Sequence, residues 1–395
     1  MPISGKISTW MEQSSWIRRM FEEGNRLRAE LGTDNVFDLS LGNPVVEPPP
    51  ELAHALAELV RAPGAGHHRY MPNAGYRETR AAVARALSRA SGHGFDPDQV
   101  VMTVGAGGGL NVVLKTILDP GDEVVLVRPY FPEYVFYVDN HGGTTVLADC
   151  RPRDFGLDLG AIRAALTPRT RALILNSPNN PAGNVYAAAD VDALGELLRA
   201  HARATGRVIY LVGDEPYRKL VYDGARVPWI FGAYDQSVLV TSHSKDLALP
   251  GERIGYIAVG PRCVGIPTIV AGLTFATRTL GFVNAPALMQ RLVAGLQDVT
   301  IDLEGYRQKR DALVQALVTH GYDVVPPAGA FYMFPRALGD DDVAFVRALV
   351  RHRVLAVPGS GFGMPGYFRL SYAVDDRTID GAIRGLAAVA DEYRA

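Results

Sequence analysis

From residue 100 onward the hydrophobic positions fall into short unbroken runs, at 100–103, 123–127, 144–147, 172–175, 208–212, 237–240 and 254–259. Most are separated by longer stretches, such as 190–202, whose apolar residues recur at helical spacing. Runs that are apolar at nearly every position, rather than at every second one, predict strands buried on both faces. Alternation with helices then predicts a mainly parallel sheet covered by helices on both sides. Ligands of such sheets sit outside the carboxyl ends of the strands.

The two ends of the chain read differently. Residues 10–31 predict an amphipathic helix, with Trp16, Met20 and Leu27 among its apolar positions and Arg18, Glu22 and Arg26 between them. Residues 36–41 alternate as a short strand does, and Gly42-Asn43-Pro44 turns the chain toward Pro48-Pro49-Pro50. A helix over 51–60, a loop over 66–75 and a helix over 76–91 follow. Helices near 264–279 and 303–318 lead to short strands and helices that continue to Tyr393. The expected class is α/β: an N-terminal arm over 1–45, a large sheet domain over 46–299, and a smaller C-terminal domain over 300–395. The arm and the C-terminal segment together form a small α+β unit in this reading.

Composition narrows the function. A chain of 395 residues, 48% hydrophobic, can bury a large core in two lobes. A net charge of −2 offers neither a basic field for nucleic acid nor a polybasic membrane patch. Two cysteines, Cys150 and Cys263, are too few for a disulfide framework and suit a cytoplasmic protein. The first residues lack the apolar core of a signal peptide, and no span long and apolar enough for a membrane is expected. His67 and His68 are adjacent and point opposite ways on an extended chain, so no metal site is expected there.

Four strand ends carry candidate chemistry. Gly105, Ala106 and Gly107 open a glycine-rich loop ahead of a helix over 112–117, and free amides at a helix N-terminus attract an anion. A dinucleotide fingerprint fits poorly, because position 110 is Leu and no acidic residue ends a following strand at the expected distance. The second is Asn176-Ser-Pro-Asn-Asn180-Pro-Ala-Gly183, which taken alone is a tight turn. The third, Gly213-Asp214-Glu-Pro-Tyr217, taken alone offers a helix-capping carboxylate. The fourth is Ser242-His-Ser-Lys245 with Arg253 eight residues on. Two hydroxyls and a guanidinium suit a phosphate, and a lysine among cationic or apolar groups loses its proton readily and attacks carbonyls to form a Schiff base.

In series these motifs resemble the fold-type I pyridoxal-phosphate enzymes, and among them the class I and II aminotransferases. The resemblance runs from Leu39-Ser-Leu-Gly-Asn-Pro44 to Phe368-Arg-Leu-Ser-Tyr372. It implies a homodimer that binds pyridoxal 5'-phosphate and moves an amino group from an L-amino acid to a 2-oxo acid. Lys245 would form the Schiff base and then shuttle the proton, and Asp214 would hold the protonated ring nitrogen. Asn180 and Tyr217 would bond the ring's phenolic oxygen, and Phe131 would stack on the ring. Gly105, Ala106, Gly107, Ser242, Ser244 and Arg253 would hold the phosphate, and Tyr70 would reach the phosphate of the neighbouring subunit. Arg369, with Gly42 nearby, would bind the substrate carboxylate.

Three positions depart from the commonest family pattern: Ser177, Ala182 and His243. The first two are neutral to the chemistry, and His243 is expected to pack rather than to move protons. A dicarboxylate substrate would want a second cation, for which Arg18, Arg19 and Arg278 are candidates without a spacing argument. The alternative function is elimination, replacement, cyclisation or oxidation with the same cofactor, on S-adenosylmethionine or an arginine-like amino acid for example. A regulator built on this fold ranks last, since no basic DNA-binding helix pair precedes the sheet.

Overall fold

The computed structural model describes residues 2–13, 16–61 and 66–394, apart from the side chains of residues 12, 13, 17–19 and 21. Its centre is a seven-stranded sheet. In spatial order the strands are Val100–Thr103, Gly255–Val259, Ser237–Ser242, Tyr210–Asp214, Thr170–Asn176, Glu123–Val127 and Thr144–Ala148. Gly255–Val259 pairs antiparallel with both of its neighbours, and the other four pairings are parallel.

The unbroken apolar runs serve two cores at once. Val100, Met102, Val125, Leu173, Leu211 and Leu239 face one core, with the helices Arg77–Ser91 and Ala188–Thr205. Val101, Val124, Ala172, Val212, Val238 and Ile257 face the other, with the helices Gly105–Ile117 and Ile266–Thr279. Adjacent residues of a strand point to opposite faces, so each run must be apolar throughout.

A third core joins the two ends of the chain. Met20 and Leu39 pack there with Tyr306, Leu313, Phe345, Leu370 and Leu386. Phe37–Asp38 pairs parallel with Val354–Leu355, and Tyr332–Met333, Phe368–Ser371 and Val357–Pro358 form a small antiparallel sheet. On this division of cores we propose domain boundaries near residues 45 and 300.

Four elements differ from the pattern reading, and the first is the strand expected over 36–41, which is only Phe37–Asp38 because its pairing with Val354–Leu355 spans two residues. The helix expected over 10–31 is two helices, Gly5–Gln13 and Trp16–Leu31, with Ser14 and Ser15 outside the described residues. The strand expected over 208–212 is Tyr210–Asp214, because pairing begins at Ala172 opposite Tyr210 and ends at Asn176 opposite Asp214. The glycine-rich stretch is no loop: the helix starts at Gly105. Helix propensity disfavours glycine, but packing requires it here. A Cβ on Gly109 would meet Val240 Cγ1 at 2.7 Å, and one on Gly108 would meet Val104 Cγ2 at 2.5 Å.

Candidate active site

Five chain segments meet at one rim of the large sheet. Four follow the carboxyl ends of parallel-running strands and carry Gly105, Phe131, Asn180 and Asp214. A fifth, after Ser237–Ser242, carries Ser244 and Lys245 on the short helix His243–Asp246. Arg253 reaches the same rim from the other direction. It precedes Gly255–Val259, the strand that runs opposite to the rest, so the amino end of that strand lies among the carboxyl ends of its neighbours.

A cleft of about 370 Å³ opens there. Of the residues expected to act, Gly42, Ala106, Gly107, Phe131, Asn180, Asp214, Tyr217, Ser242, Ser244, Lys245, Arg253 and Arg369 all line it. Gly105 lies just behind the wall, where a Cβ would stand 2.6 Å from Arg253 Nη2. Tyr70 does not line this cleft; its side chain is 89% exposed.

Lys245 Nζ donates to the Gly42 carbonyl at 2.8 Å and lies 5.3 Å from the centre of the Phe331 ring. Burial, reinforced by the charges of Arg253 and Arg369, lowers its amine to about pKa 8. Gly42 has to be glycine, because a Cβ would stand 1.6 Å from the Tyr332 hydroxyl.

Asp214 ends a central strand and is buried. Tyr134 donates a short hydrogen bond to Oδ2, and the Asn176 amide donates to the Asp214 carbonyl at 2.8 Å. Oδ1 is buried with no partner among the described residues. Burial is the main reason its carboxyl rises to about pKa 7; the Tyr134 bond opposes the rise and the Glu215 charge adds to it. An acceptor left open in this way is costly unless a donor arrives in the cleft.

At the far end of the cleft, Arg369 is held by two bonds. Nη1 donates to Asn180 Oδ1 at 2.9 Å and Nη2 to the Ser40 carbonyl at 2.6 Å. Its guanidinium lies 4.6 Å from the Tyr332 ring centre and 4.8 Å from that of Phe362. Nε is buried without a partner among the described residues, and burial holds the guanidinium below its ordinary range. The Tyr217 and Tyr332 hydroxyls meet at 3.2 Å beside it.

The third corner offers donors to an anion. The helix Gly105–Ile117 begins with no side-chain cap. Ser242 Oγ donates to Ser244 Oγ at 3.1 Å. Arg253, in the left-handed conformation at φ 52°, donates from Nη1 to the Pro250 carbonyl at 2.9 Å. Such a φ is unusual for a non-glycine residue and turns the guanidinium back over Gly105.

His243 lies off the cleft. It is buried, with Nδ1 3.3 Å from Asp246 Oδ2 and its ring tilted against Tyr256. Arg278 does not line the cleft either; it stacks on Phe275 with 5.1 Å to the ring centre. The side chains of Arg18 and Arg19 lie outside the described residues. Several lining residues were given no role from the sequence: Glu133, Tyr134, Tyr137, Tyr332, and Asn176, which opens one of the motifs. Tyr134 had a usable signal, since it lies one helical turn past Phe131, and the two rings meet edge-on at 5.5 Å. Tyr332 had none, because its place depends on the small sheet docking against the large one.

The family model for "Aminotransferase class I and II" matches residues 34–386. Aspartate/prephenate aminotransferase from Thermus thermophilus is 34% identical over 357 residues, covering 89% of this chain and 90% of that protein. Aspartate aminotransferase from Geobacillus stearothermophilus is 32% identical, covering 92% of each chain. A crystal structure of an amino transferase from Eubacterium rectale superposes with a TM-score of 0.96 at 36% identity, over 100% of both chains. The chain belongs to the class I and II aminotransferases, and its fold is that of their fold-type I structures.

Proposed function

We propose that this protein is a pyridoxal 5'-phosphate-dependent aminotransferase that moves the amino group of an L-amino acid to a 2-oxo acid. The observation that carries the reading is that Lys245 and Asp214 line one small cleft, the lysine with a lowered pKa and the aspartate with an open acceptor oxygen. When bound, the cofactor supplies an aldehyde carbon and an aromatic ring that takes up the electron pair freed at the amino acid's alpha carbon.

The residues present fit that group. Asp214 Oδ1 accepts a ring N–H, and its charge keeps that nitrogen protonated. Opposite unit charges about 4 Å apart attract by roughly 4 kcal/mol at an effective dielectric of 20, enough to hold a proton at neutral pH. Phe131 covers one ring face, while Asn180 and Tyr217 serve the phenolic oxygen. The uncapped amides from Gly105 to Gly107, the Ser242 and Ser244 hydroxyls and Arg253 hold the phosphate. Arg369 presents its planar fork to the substrate carboxylate and so fixes which bond at the alpha carbon breaks. Lys245, as a free amine beside the alpha carbon, would take its proton and return it to the carbon that had been the cofactor's aldehyde.

We also propose a homodimer in which Tyr70, exposed on its own chain, reaches the neighbouring subunit's phosphate site. Among the described residues no helix is long and apolar enough to cross a membrane. Both cysteines are free and buried, which suits the cytoplasmic location this reading assigns.

The test is a half-reaction. Borohydride reduction of the reconstituted protein is expected to leave a phosphopyridoxyl mass on the Lys245 peptide. An amino donor alone is expected to convert the cofactor to its amine form, and a 2-oxo acid to reverse it. An unlabelled Lys245 ends the reading, and release of ammonia, peroxide or a thioether product replaces transamination with another outcome.

A further inference from the structure

Lys245 sits on a single helical turn, His243–Asp246, too short to fix its own position by internal bonds. Part of what holds it lies away from the cleft. A second cavity, of about 630 Å³, stands behind the first, and Pro216 lines both. Neighbouring residues divide between the two. Asp214 and Tyr217 line the cleft, whereas Glu215, Arg218 and Lys219 line the cavity behind it. Ser244 and Lys245 likewise line the cleft, and His243 and Asp246 the cavity.

At the wall of that cavity one ion pair joins the backs of the two segments. Lys219 Nζ lies 3.1 Å from Asp246 Oδ2, and His243 Nδ1 stands 3.3 Å from the same oxygen. Asp246 is buried, and burial raises a carboxyl, yet His243 and Lys219 hold this one below its ordinary range. The Lys219 ammonium also donates to the carbonyls of Gln297 at 2.7 Å and Val299 at 3.0 Å, and the Ile301 amide donates to the Asp246 carbonyl at 2.8 Å. Residues 297–301 join the helix Ala287–Ala294 to the helix Glu304–Thr319, at the domain boundary proposed above. Arg369, which anchors the substrate, is held by Asn180 and Ser40 instead. We propose that Lys219 and Asp246 are positioning residues: their pair sets how Lys245 stands relative to Asp214 and ties that spacing to the junction of the two domains. The proposal rests on the aminotransferase reading and adds to its site two residues, neither of which lines the cleft.

The test uses the full-length protein reconstituted with pyridoxal 5'-phosphate and follows single-turnover half-reactions with an amino donor that wild type accepts. Lys219→Met is expected to lower the maximal rate about tenfold or more and to keep the half-saturating donor concentration within about threefold, because Arg369 still holds the carboxylate. Lys219→Arg, which keeps a cation within reach of Asp246, is expected to stay within about threefold of the wild-type rate. Removing Lys219 alone leaves a buried charge uncompensated and lowers stability as well. The double variant, Lys219→Met with Asp246→Asn, leaves no such charge, so in urea it is expected to unfold nearer to wild type and yet to react slowly; it carries the test if Lys219→Met fails to fold. A double variant with the wild-type rate, a Lys219→Met rate that is unchanged, or an equal fall in Lys219→Arg overturns the proposal and leaves the aminotransferase reading in place. If wild type itself reacts with no amino donor and takes no borohydride label at Lys245, the aminotransferase reading falls and the proposal with it.

Discussion

Asp214 and Arg369 show how burial makes a side chain wait for a ligand. The Asp214 carboxyl, raised to about pKa 7, keeps in the folded state a proton that the unfolded chain releases near pH 4. That contribution to stability is complete below about pH 4 and is lost as pH rises to about 7. Holding the proton up to about pH 7 rather than about pH 4 corresponds to roughly 4 kcal/mol. Urea unfolding of the cofactor-free protein at both ends of this range is expected to show wild type losing on the order of that amount relative to Asp214→Asn. Equal pH dependence in the two proteins would show that the carboxyl is not perturbed. Arg369 is already positioned by Asn180 and Ser40, so its fork is preorganised for a carboxylate. Arg369→Ala is expected to raise the KM of every amino acid donor, a loss of roughly 2–5 kcal/mol for one partner of a buried charged pair. Steady-state kinetics over several donors checks this, and an unchanged KM would place the carboxylate elsewhere.

Among the elements, the helix Gly105–Ile117 carries the clearest lesson. Its composition reads as a loop, and local propensity agrees with that reading. Tertiary contact reverses it: Arg253, Val104 and Val240 crowd Gly105, Gly108 and Gly109 respectively, leaving no room for a Cβ at those three positions. Gly105 has a second constraint, a φ of 77° that strains any residue with a Cβ. Gly105→Ala is therefore expected to displace Arg253 and weaken binding of pyridoxal 5'-phosphate about tenfold. Titration of the cofactor absorbance measures that affinity, and unchanged binding would remove Gly105 from the phosphate site. Strand runs, by contrast, were legible to within about two residues, since a strand buried on both faces must be apolar throughout. The boundary at Val208 failed because pairing with Ala172, rather than hydrophobicity, decides where that strand starts.

At the level of the whole molecule, the site is assembled across long stretches of chain: Lys245 bonds the carbonyl of Gly42, and Arg369 that of Ser40. The proposed dimer extends this assembly to a second chain, and complementation tests it. Lys245→Ala alone is expected to be inactive and Tyr70→Phe weakened. A mixed dimer of the two has one site with both residues intact if Tyr70 acts on the neighbouring subunit. Exchanging subunits is then expected to raise activity above that of Tyr70→Phe alone, whereas a fall on mixing would place Tyr70 at its own site or at none.

The sequence alone determined the alternation of strands and helices, the rim at which ligands meet the sheet, and the residue types that carry the chemistry. These follow from local rules: side-chain periodicity, turn composition, and the ionic character of Lys, Asp and Arg. Only the tertiary structure decided the rest: that Tyr134 satisfies one oxygen of Asp214 and leaves the other open among the described residues, that Tyr332 closes on Gly42, and that Glu133 stands in the cleft. Burial and hydrogen-bond satisfaction are properties of how distant segments pack, and no stretch of chain read in isolation contains them.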